Sequence, residues 1–353
     1  MIKLALAFIT SFVVVLLSTP ALIKVSYLKR LVDEPSEGRK VHSRRIPTIG
    51  GIMIFAGTLF SYLLWYPFIE IDDFKYICAS MLILFFIGVK DDIVGTAPMK
   101  KLIGHLIVAF ILVFMAEIRI TSMYGLFGLE DIPLYASTAL SVFAYIVIVN
   151  AFNLIDGVDG LASGVGFISC MAFAGWFFMA GGLEDAVLAL ALGGALLGFL
   201  IFNFPPARIF MGDSGSLVIG LIAAVLAIKM IEFEHGKLPM VVVEISKPVY
   251  AMAALAYPMV DTLRITTLRI LQGRSPFSAD RSHLHHQLLD LGLNHLQTSL
   301  VVYLFSILSI TIAVFLPFDN SINFFIILLF VFSMASLPSI LLYARRKKKA
   351  NES

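Results

Sequence analysis

Residues Asn150–Ser163 read N-A-F-N-L-I-D-G-V-D-G-L-A-S and stand between two apolar runs. Four polar side chains recur within this stretch at three-residue steps: Asn150, Asn153, Asp156 and Asp159. Neighbours at i and i+3 share a helix face, but three such steps drift roughly halfway round the cylinder. Gly157 and Gly160 permit a break in the helix or the close approach of a ligand. The stretch predicts a helix end whose polar groups converge on a cation or a hydrogen-bonding ligand.

Outside this stretch the chain is mostly apolar. Of its 353 residues, 59% are hydrophobic and 14% charged, and the mean hydropathy is +0.93. Such a composition is typical of repeated membrane spans, each of about 20 residues. Residues 1–20 could pass for a signal peptide, but the run continues to Ile23 and a basic stretch follows, which favours a retained span. The eleven apolar segments are 2–23, 49–66, 74–89, 102–116, 132–149, 161–181, 186–203, 215–231, 247–265, 298–316 and 322–343.

We therefore predict an all-α integral membrane protein, a polytopic helical bundle of about 11 transmembrane helices. A single membrane domain covers residues 1–343, and a basic cytoplasmic tail covers 344–353. The segments 74–89 and 102–116 are short for a span, so they are the weakest part of the count. The two cysteines, Cys78 and Cys170, both lie in apolar runs and form neither a disulfide framework nor a metal-ligand spacing.

The lysines and arginines predict the orientation, because cytoplasmic loops carry an excess of them. With the N-terminus outside, all but six of the 26 basic residues fall on the inner side, while the acidic residues divide evenly. The six outer ones are Lys3, Lys75, Arg119, Lys229, Lys237 and Lys247. Every loop rich in polar chemistry then lies on the cytoplasmic face. This favours an enzyme with a cytoplasmic substrate over a transporter, whose site would lie nearer the midplane.

Two short acidic motifs stand at the inner ends of apolar runs. Lys90-Asp91-Asp92 follows the third run, and its adjacent carboxylates cannot share one helix face, so each is expected to have its own role. An exposed acidic turn is the plainer alternative. Phe210–Ser216 reads F-M-G-D-S-G-S and opens the eighth run. Backbone N–H groups at a helix start favour anions such as phosphate, and Asp213 beside them could hold a divalent metal.

A cluster of imidazoles and cations follows the ninth run, where Asp280–His286 reads D-R-S-H-L-H-H. Three histidines could bind zinc, but this spacing does not place all three on one helix face. We favour a loop whose groups hydrogen-bond the oxygens of a sugar and a phosphate. Its members are Arg281, His283, His285 and His286.

Five aspartates thus lie at the inner membrane boundary: Asp91, Asp92, Asp156, Asp159 and Asp213. If they converge, their charges repel one another and any phosphate substrate, the more so in a low-dielectric setting. Mg²⁺, or Mn²⁺ in its place, would relieve that repulsion together with nearby lysine, arginine and histidine. The residues indicate metal-assisted phosphoryl chemistry at the inner leaflet.

These motifs resemble the polyprenyl-phosphate N-acetylhexosamine-1-phosphate transferases, in family order from about residue 40 to 290. The matching stretches are Ile46–Gly51, Lys90–Asp92, Asn153–Leu161, Phe210–Ser216 and His283–His286. The resemblance implies transfer of a sugar phosphate from a UDP-sugar to a membrane polyprenyl phosphate, with Mg²⁺ and release of UMP. The His-x-His-His form and an eleventh span resemble the branch that uses UDP-N-acetylglucosamine to start O-antigen, enterobacterial common antigen or teichoic acid linkage units. The peptidoglycan branch, which uses UDP-N-acetylmuramoyl-pentapeptide, has ten spans and a contiguous histidine triplet.

The resemblance also implies roles for individual residues. Asp213 and Asn153 are expected as metal ligands, and Phe210 is expected to stack on uracil. Asp159 would lie near the uracil edge and Asp156 near the ribose or the diphosphate. Asp91 would be the base on the lipid phosphate, supported by Asp92. The remaining assignments are to sugar, diphosphate or other substrate contacts: Arg281, His283, His285, His286, Lys40 and Gly157.

Two other classes of protein compete with this interpretation. A phosphatidyl-type transferase would need Asp-Gly-x-x-Ala-Arg, whereas the residues after Asp159-Gly160 read Leu161-Ala162-Ser163-Gly164. A transporter would move its substrate without releasing UMP. The expected partners are a UDP-N-acetylhexosamine, a polyprenyl phosphate and the bacterial inner membrane, with no nucleic acid. A homodimer is one assembly that the sequence leaves open.

Overall fold

The computed structural model describes residues 1–33, 45–67, 73–234, 236, 238–275 and 282–352. Helices make up almost all of its regular structure. They are α1 (Ile2–Leu28), α2 (Gly51–Trp65), α3 (Phe74–Val94), α4 (Pro98–Phe110), α5 (Leu134–Leu154), α6 (Leu161–Ala180), α7 (Leu183–Asn203), α8 (Asp213–Ile231), α9 (Met240–Val243), α10 (Lys247–Ala254), α11 (Ala256–Leu271), α12 (Leu284–Asp290), α13 (His295–Phe315) and α14 (Asn320–Glu352). A π-helical turn, Ile111–Met115, continues α4. Two short strands, β1 (Val32–Asp33) and β2 (Ile46–Pro47), pair antiparallel.

Eight helices in the described ranges are long and apolar enough to cross a membrane: α1, α4 with its π turn, α5, α6, α7, α8, α13 and the Asn320–Arg345 part of α14. The prediction of an all-α polytopic membrane protein is therefore confirmed. All eleven apolar segments coincide with helix, and the ninth is divided at Leu255 into α10 and α11. The number of crossings and the orientation of the termini stay predictions.

Helix α8 lies at the centre of the bundle, since each of its residues from Ser214 to Ile228 is buried. Glycines allow α2 and α3 to approach its first turn backbone to backbone. A Cβ added at Gly51 would lie 2.0 Å from the backbone nitrogen of Gly215, and one at Gly88 would lie 2.5 Å from that of Ser214. Any side chain at these two positions would push the helices apart. The start of α8 is thus held by main-chain packing.

The C-terminal end of α8 is held by ion pairs. Lys229 Nζ lies 2.6 Å from Asp73 Oδ2 and 2.6 Å from Asp185 Oδ1. Asp73 precedes α3 and Asp185 lies in the first turn of α7, and all three side chains are largely buried. Charged groups inside a membrane bundle pair with one another because an unpaired charge there is costly. The triad fixes the relative positions of three helices.

Candidate active site

A cleft of about 540 Å³ opens where α3 and α5 end and α8 begins. It is lined by all five aspartates from the sequence motifs, Asp91, Asp92, Asp156, Asp159 and Asp213, and by Asn153, Gly157 and Phe210. Arg30, at the end of α1, lies in the same wall. Three chain segments far apart in sequence thus bring carboxylates to one place.

The stretch from Asn150 onward forms the helix end that the sequence predicted. Helix α5 stops at Leu154, and the chain turns through Gly160, with φ +74°, before α6 begins. Asn153 Nδ2 donates to Ser216 Oγ on α8 at 3.0 Å. Asn150 turns away, with its Nδ2 at 3.3 Å from Nδ1 of His105 on α4. Three of the four polar groups therefore line the cleft, and the fourth joins α5 to α4.

Lys101 supplies a cation between two of the carboxylates. It lies on α4, and its Nζ is 2.7 Å from Asp91 Oδ2 and also contacts Asp213 Oδ2. The three side chains are each about one-fifth exposed, so the ion pairs are only partly screened by water. The sequence analysis did not assign Lys101 a role. The signal was the Lys100-Lys101 pair, but which lysine faces inward depends on the rotation of α4.

Asp92 takes the place that the sequence suggested for a phosphate. Its Oδ1 accepts from the backbone N–H of Asp213 at 2.7 Å, and its Oδ2 accepts from that of Ser214 at 3.0 Å. A carboxylate at a helix N-terminus satisfies N–H groups that have no intrahelical partner and complements the helix dipole. Asp92 therefore positions α8, while Asp91 engages Lys101. The adjacent carboxylates thus have different partners, and the roles expected of them in the reaction stay predictions.

Asp156 lies in the turn after α5 and is half-buried. Burial, together with the negative charges of Asp213 and Asp92, raises the pKa of its carboxyl to about 7. The backbone N–H of Gly212 hydrogen-bonds the carboxyl and partly offsets that rise. A group with this pKa exchanges its proton near neutral pH, so the protonation of Asp156 responds to any cation that enters the cleft.

Asp159 ties the cleft to the surrounding loops. Its Oδ2 accepts from the backbone N–H of Ala207 at 3.0 Å, and its Oδ1 lies 3.3 Å from Nδ1 of His295, the first residue of α13. Ser299 Oγ donates to its carbonyl at 2.9 Å. The residue is 6% exposed. Asp159 thus sets the position of the turn between α5 and α6 against α13.

Phe210 is held by the segment before α2. Its N–H donates to the carbonyl of Pro47 at 2.7 Å, and its carbonyl accepts from the N–H of Gly50 at 3.0 Å. Gly212 follows with φ +71°, and a Cβ there would lie 2.2 Å from the Thr48 carbonyl oxygen. Only glycine fits that backbone conformation and that space. The Phe210 ring is left half-buried in the cleft wall.

The three histidines lie behind the cleft and are not among its lining residues in the described part of the chain. His285 is 1% exposed and packs on Gly157, where an added Cβ would lie 2.8 Å from its Nε2. Burial lowers the pKa of His285 to about 3, so its ring is neutral. The ring centroids of His283 and His286 lie 6.3 Å apart. The histidine cluster supports the floor under Gly157.

Asp261 on α11 organises this cluster and was missed by the sequence analysis. The carboxylate is fully buried; its Oδ2 lies 2.9 Å from His283 Nδ1, and its Oδ1 accepts from the N–H of Leu284 at 2.9 Å. Arg264 Nη2 lies 3.4 Å from Oδ1. A single acid inside the ninth apolar segment was the available signal, because intramembrane acids are usually functional.

Two predicted site residues, Lys40 and Arg281, lie outside the described residues. In the described part of the chain, no group of three or more His, Cys, Asp or Glu side chains is arranged to hold a metal. A metal held by one or two carboxylates together with substrate phosphates does not require such a group.

The chain is similar to known proteins over most of its length. The glycosyl transferase family 4 model matches residues 74–231. A "Probable undecaprenyl-phosphate N-acetylglucosaminyl 1-phosphate transferase" of Bacillus subtilis (strain 168) is 32% identical over 96% of this chain and 92% of its own length. The "Decaprenyl-phosphate N-acetylglucosaminephosphotransferase" of Mycobacterium tuberculosis (strain ATCC 25618 / H37Rv) is 33% identical over 86% and 80%. An "Undecaprenyl-phosphate alpha-N-acetylglucosaminyl 1-phosphate transferase" of Salmonella typhi is 30% identical over 80% and 75%.

Proposed function

Because this chain belongs to glycosyl transferase family 4, we propose that it transfers N-acetylglucosamine 1-phosphate from UDP-N-acetylglucosamine to a polyprenyl phosphate and releases UMP. The acceptor is undecaprenyl phosphate or a polyprenyl phosphate of similar length, and the reaction is the first membrane step of a cell-surface polysaccharide. The observation that carries the proposal is the convergence of Asp91, Asp156 and Asp213 with Lys101 in one cleft.

The donor set of this cleft suits Mg²⁺ or Mn²⁺. Carboxylate oxygens are hard ligands, and Mg²⁺ is usually held by one or two carboxylates together with phosphates and water. The Lys101 ammonium, between Asp91 and Asp213, marks where positive charge is stabilised. Asp213, with Asn153 hydrogen-bonded to it, would hold the ion, and the ion when bound would neutralise negative charge on the diphosphate.

The chain's own residues orient and neutralise the acceptor. A phosphate monoester has a second pKa of about 6, so a polyprenyl phosphate is already largely an anionic nucleophile at neutral pH. It needs positioning and charge neutralisation more than covalent help. Asp91 accepts the remaining proton, while Lys101 and Arg30 offset the negative charge. A lipid phosphate oxygen bonds to the β-phosphorus, whose bond to the bridging oxygen breaks, and UMP leaves with that electron pair.

The bundle sits in a bacterial inner membrane with eleven crossings and the cleft on the cytoplasmic side. The cation distribution supports this orientation, because the excess of lysine and arginine lies on the cleft side. The nucleotide donor then reaches the cleft from the cytoplasm, and the acceptor phosphate reaches it from the inner leaflet.

A donor panel tests the proposal. Purified protein with Mg²⁺ and undecaprenyl phosphate is given UDP-N-acetylglucosamine, UDP-N-acetylgalactosamine or UDP-N-acetylmuramoyl-pentapeptide, and both UMP and the lipid product are measured. With UDP-N-acetylglucosamine we expect UMP and the lipid product in equal amounts. The Asp213→Asn variant should lose nearly all of this turnover. Equal turnover with the pentapeptide donor would overturn the branch assignment. Lipid or sugar movement across vesicles without UMP would overturn the enzymatic assignment.

The single-step mechanism has its own test. Asp91→Asn is expected to lose most turnover at low pH, where more acceptor is protonated, and to recover partly as the pH rises. A phosphosugar trapped covalently on the protein from UDP-N-acetylglucosamine without lipid would refute direct attack. Exchange of UMP into UDP-N-acetylglucosamine in lipid-free protein would point to the same two-step alternative.

A further inference from the structure

Helix α14 is longer than a membrane span and ends in a run of basic residues. It extends over 33 residues, from Asn320 to Glu352, which is about 50 Å at 1.5 Å per residue. The hydrocarbon core of a bilayer is only about 30 Å thick. Residues 345–349 read R-R-K-K-K, and Glu352 is the only acidic residue in the sequence of this helix. Residues 345–352 are called the basic end of α14 below.

The basic end of α14 lies at the level expected for lipid headgroups. At the start of the helix, Asn320 Nδ2 donates at 2.6 Å to the carbonyl of Tyr124, on the loop before α5. Arg345 lies about 38 Å further along the helix, close to the thickness of about 40–45 Å of a bilayer with its headgroups. Tyr343, just before the basic run, is 70% exposed, and tyrosine side chains favour this interfacial level. The basic run therefore meets the membrane surface rather than its core.

The charge of the basic end favours an anionic partner. Arg345, Lys347 and Lys348 are exposed, and a helix of 3.6 residues per turn spreads them over about half of its circumference. Like charges at i and i+3, such as Arg345 and Lys348, destabilise a helix, so nearby anions stabilise it. A basic segment at a bilayer surface attracts anionic headgroups, and each lysine or arginine contributes about fivefold in affinity.

Helix α14 is hydrogen-bonded at two points to the short helix α12. Ser339 Oγ donates to Gln287 Oε1 at 2.7 Å. Arg345 Nη1 donates at 3.1 Å to the carbonyl of Leu291, where α12 ends. Gln287 in turn donates from Nε2 to the carbonyl of Ser282, just before α12, at 3.2 Å. The last turns of α14 thus hold both α12 and the residue that leads into it.

Helix α12 in turn supports the cleft. His285, in its first turn, is buried and packs on Gly157, which lines the cleft. The contact of Arg345 with Leu291 and the contact of His285 with Gly157 are joined by the two turns of α12. A continuous packed path therefore connects the basic end of α14 with the cleft.

We propose that the basic end of α14 binds the headgroups of anionic phospholipids, of the phosphatidylglycerol class, and that this binding holds α12 in place beneath the cleft. The lipid phosphates neutralise the run of like charges and stabilise the last turns of α14. Arg345 then keeps its hydrogen bond to the Leu291 carbonyl, and Gly157 keeps its place in the cleft wall. Anionic lipid raises turnover by this route, an effect that rests on the transferase activity proposed above, whereas the binding itself does not.

Lipid retention measured by native mass spectrometry tests the binding surface. The full-length protein in detergent is given equal amounts of dioleoyl phosphatidylglycerol and dioleoyl phosphatidylcholine, and bound lipid is counted. We expect phosphatidylglycerol to be retained at least fivefold over phosphatidylcholine, and Lys347→Gln/Lys348→Gln to reduce this preference to less than twofold. The matched control, Lys3→Gln/Lys75→Gln, replaces two exposed lysines at the opposite end of the bundle and should keep the preference. Equal retention of the two lipids by the unaltered protein, an unchanged preference in Lys347→Gln/Lys348→Gln, or an equal loss in both double variants would overturn the proposal.

Turnover in lipid nanodiscs tests the connection to the cleft. With UDP-N-acetylglucosamine and undecaprenyl phosphate, UMP release should be at least threefold faster in discs that contain phosphatidylglycerol than in discs of phosphatidylcholine alone. Lys347→Gln/Lys348→Gln should release UMP at the phosphatidylcholine rate in both discs. Ser339→Ala removes the hydrogen bond to Gln287 without a change in charge, so it should keep the lipid preference and lose part of the stimulation. Stimulation that persists in the double variant would overturn the connection between α14 and the cleft. If neither disc supports UMP release, the proposed function fails, while lipid retention still decides the binding surface.

Discussion

Replacing Lys101 with methionine should destabilise the metal-free protein and strengthen its binding of Mg²⁺. Lys101 Nζ lies 2.7 Å from Asp91 Oδ2 and also contacts Asp213. Breaking a buried ion pair by removing one partner costs about 3–5 kcal/mol. These side chains are about one-fifth exposed, which lowers the expected loss to about 2–3 kcal/mol after solvent screening.

Mg²⁺ should compensate for this loss, because the ion and the lysine both neutralise the Asp213 carboxylate. In the unaltered protein the ion must displace the ammonium from Asp213, whereas in Lys101→Met it need not. An interaction of about 2 kcal/mol corresponds to roughly a 30-fold change in affinity, so Mg²⁺ should bind about 10- to 30-fold more tightly to the variant. Turnover should still fall, since a fixed cation that faces the substrate phosphates is lost.

The measurement is thermal unfolding in detergent, in EDTA and across a Mg²⁺ series, followed by calorimetric titration of Mg²⁺. Lys100→Met is the control, because Lys100 is exposed on the same helix turn. Equal destabilisation by the two variants, or weaker Mg²⁺ binding by Lys101→Met, would refute the assignment of the metal to Asp213 beside Lys101.

Three further predictions concern pH, packing and orientation. The pKa of Asp156 in the folded state is raised to about 7, so the folded state binds more protons than the unfolded chain between about pH 4 and 7. The stability of the metal-free protein should therefore fall as the pH rises through that window and stay lower above it. Asp156→Asn should flatten this pH dependence of the unfolding temperature. An unchanged slope in that variant would contradict the assignment. Gly157→Ala places a Cβ 2.8 Å from His285 Nε2, so turnover should fall at least tenfold while the unfolding temperature changes little. Near-normal turnover would contradict this prediction and show that the His285 ring can move aside freely. A cysteine at Lys100 should be shielded from impermeant thiol reagents in intact cells, and one at Glu130 should react; the reverse pattern would place the cleft outside.

Much of the fold could be predicted from the sequence because membrane helices are encoded by long apolar runs. Each run is local information, and so are the helix end after Asn153 and the helix start at Asp213. The division of the ninth segment at Leu255 was not predicted. The available local signal was Pro258 in the first turn of α11, because proline has no N–H to donate to the carbonyl of Ala254, four residues earlier, and its ring clashes with that carbonyl.

The members of the site were more predictable than their contacts. Acids at the ends of apolar runs are rare enough to mark a site, so Asp91, Asp92 and Asp213 were identified. Their tasks depend on tertiary distances: Asp92 meets the first N–H groups of α8, and Asp91 meets Lys101. Asp261 was missed for the same reason, because its contact with His283, 22 residues away in the chain, is tertiary.

The glycine contacts at the cleft have a consequence for how relatives of this protein diverge. Gly51 meets Gly215, Gly88 meets Ser214, and Gly212 meets the carbonyl of Thr48, all through backbone atoms. The floor of the cleft consists of backbone atoms at these contacts, so no side chain can be substituted there without a change in packing. Any substitution at these glycines would separate the helices. Changes in the preferred sugar or lipid are therefore expected at cleft-lining side chains outside this floor, such as Arg30 after α1 and Phe210 after α7. This division keeps the position of the carboxylates constant while the recognised substrates change.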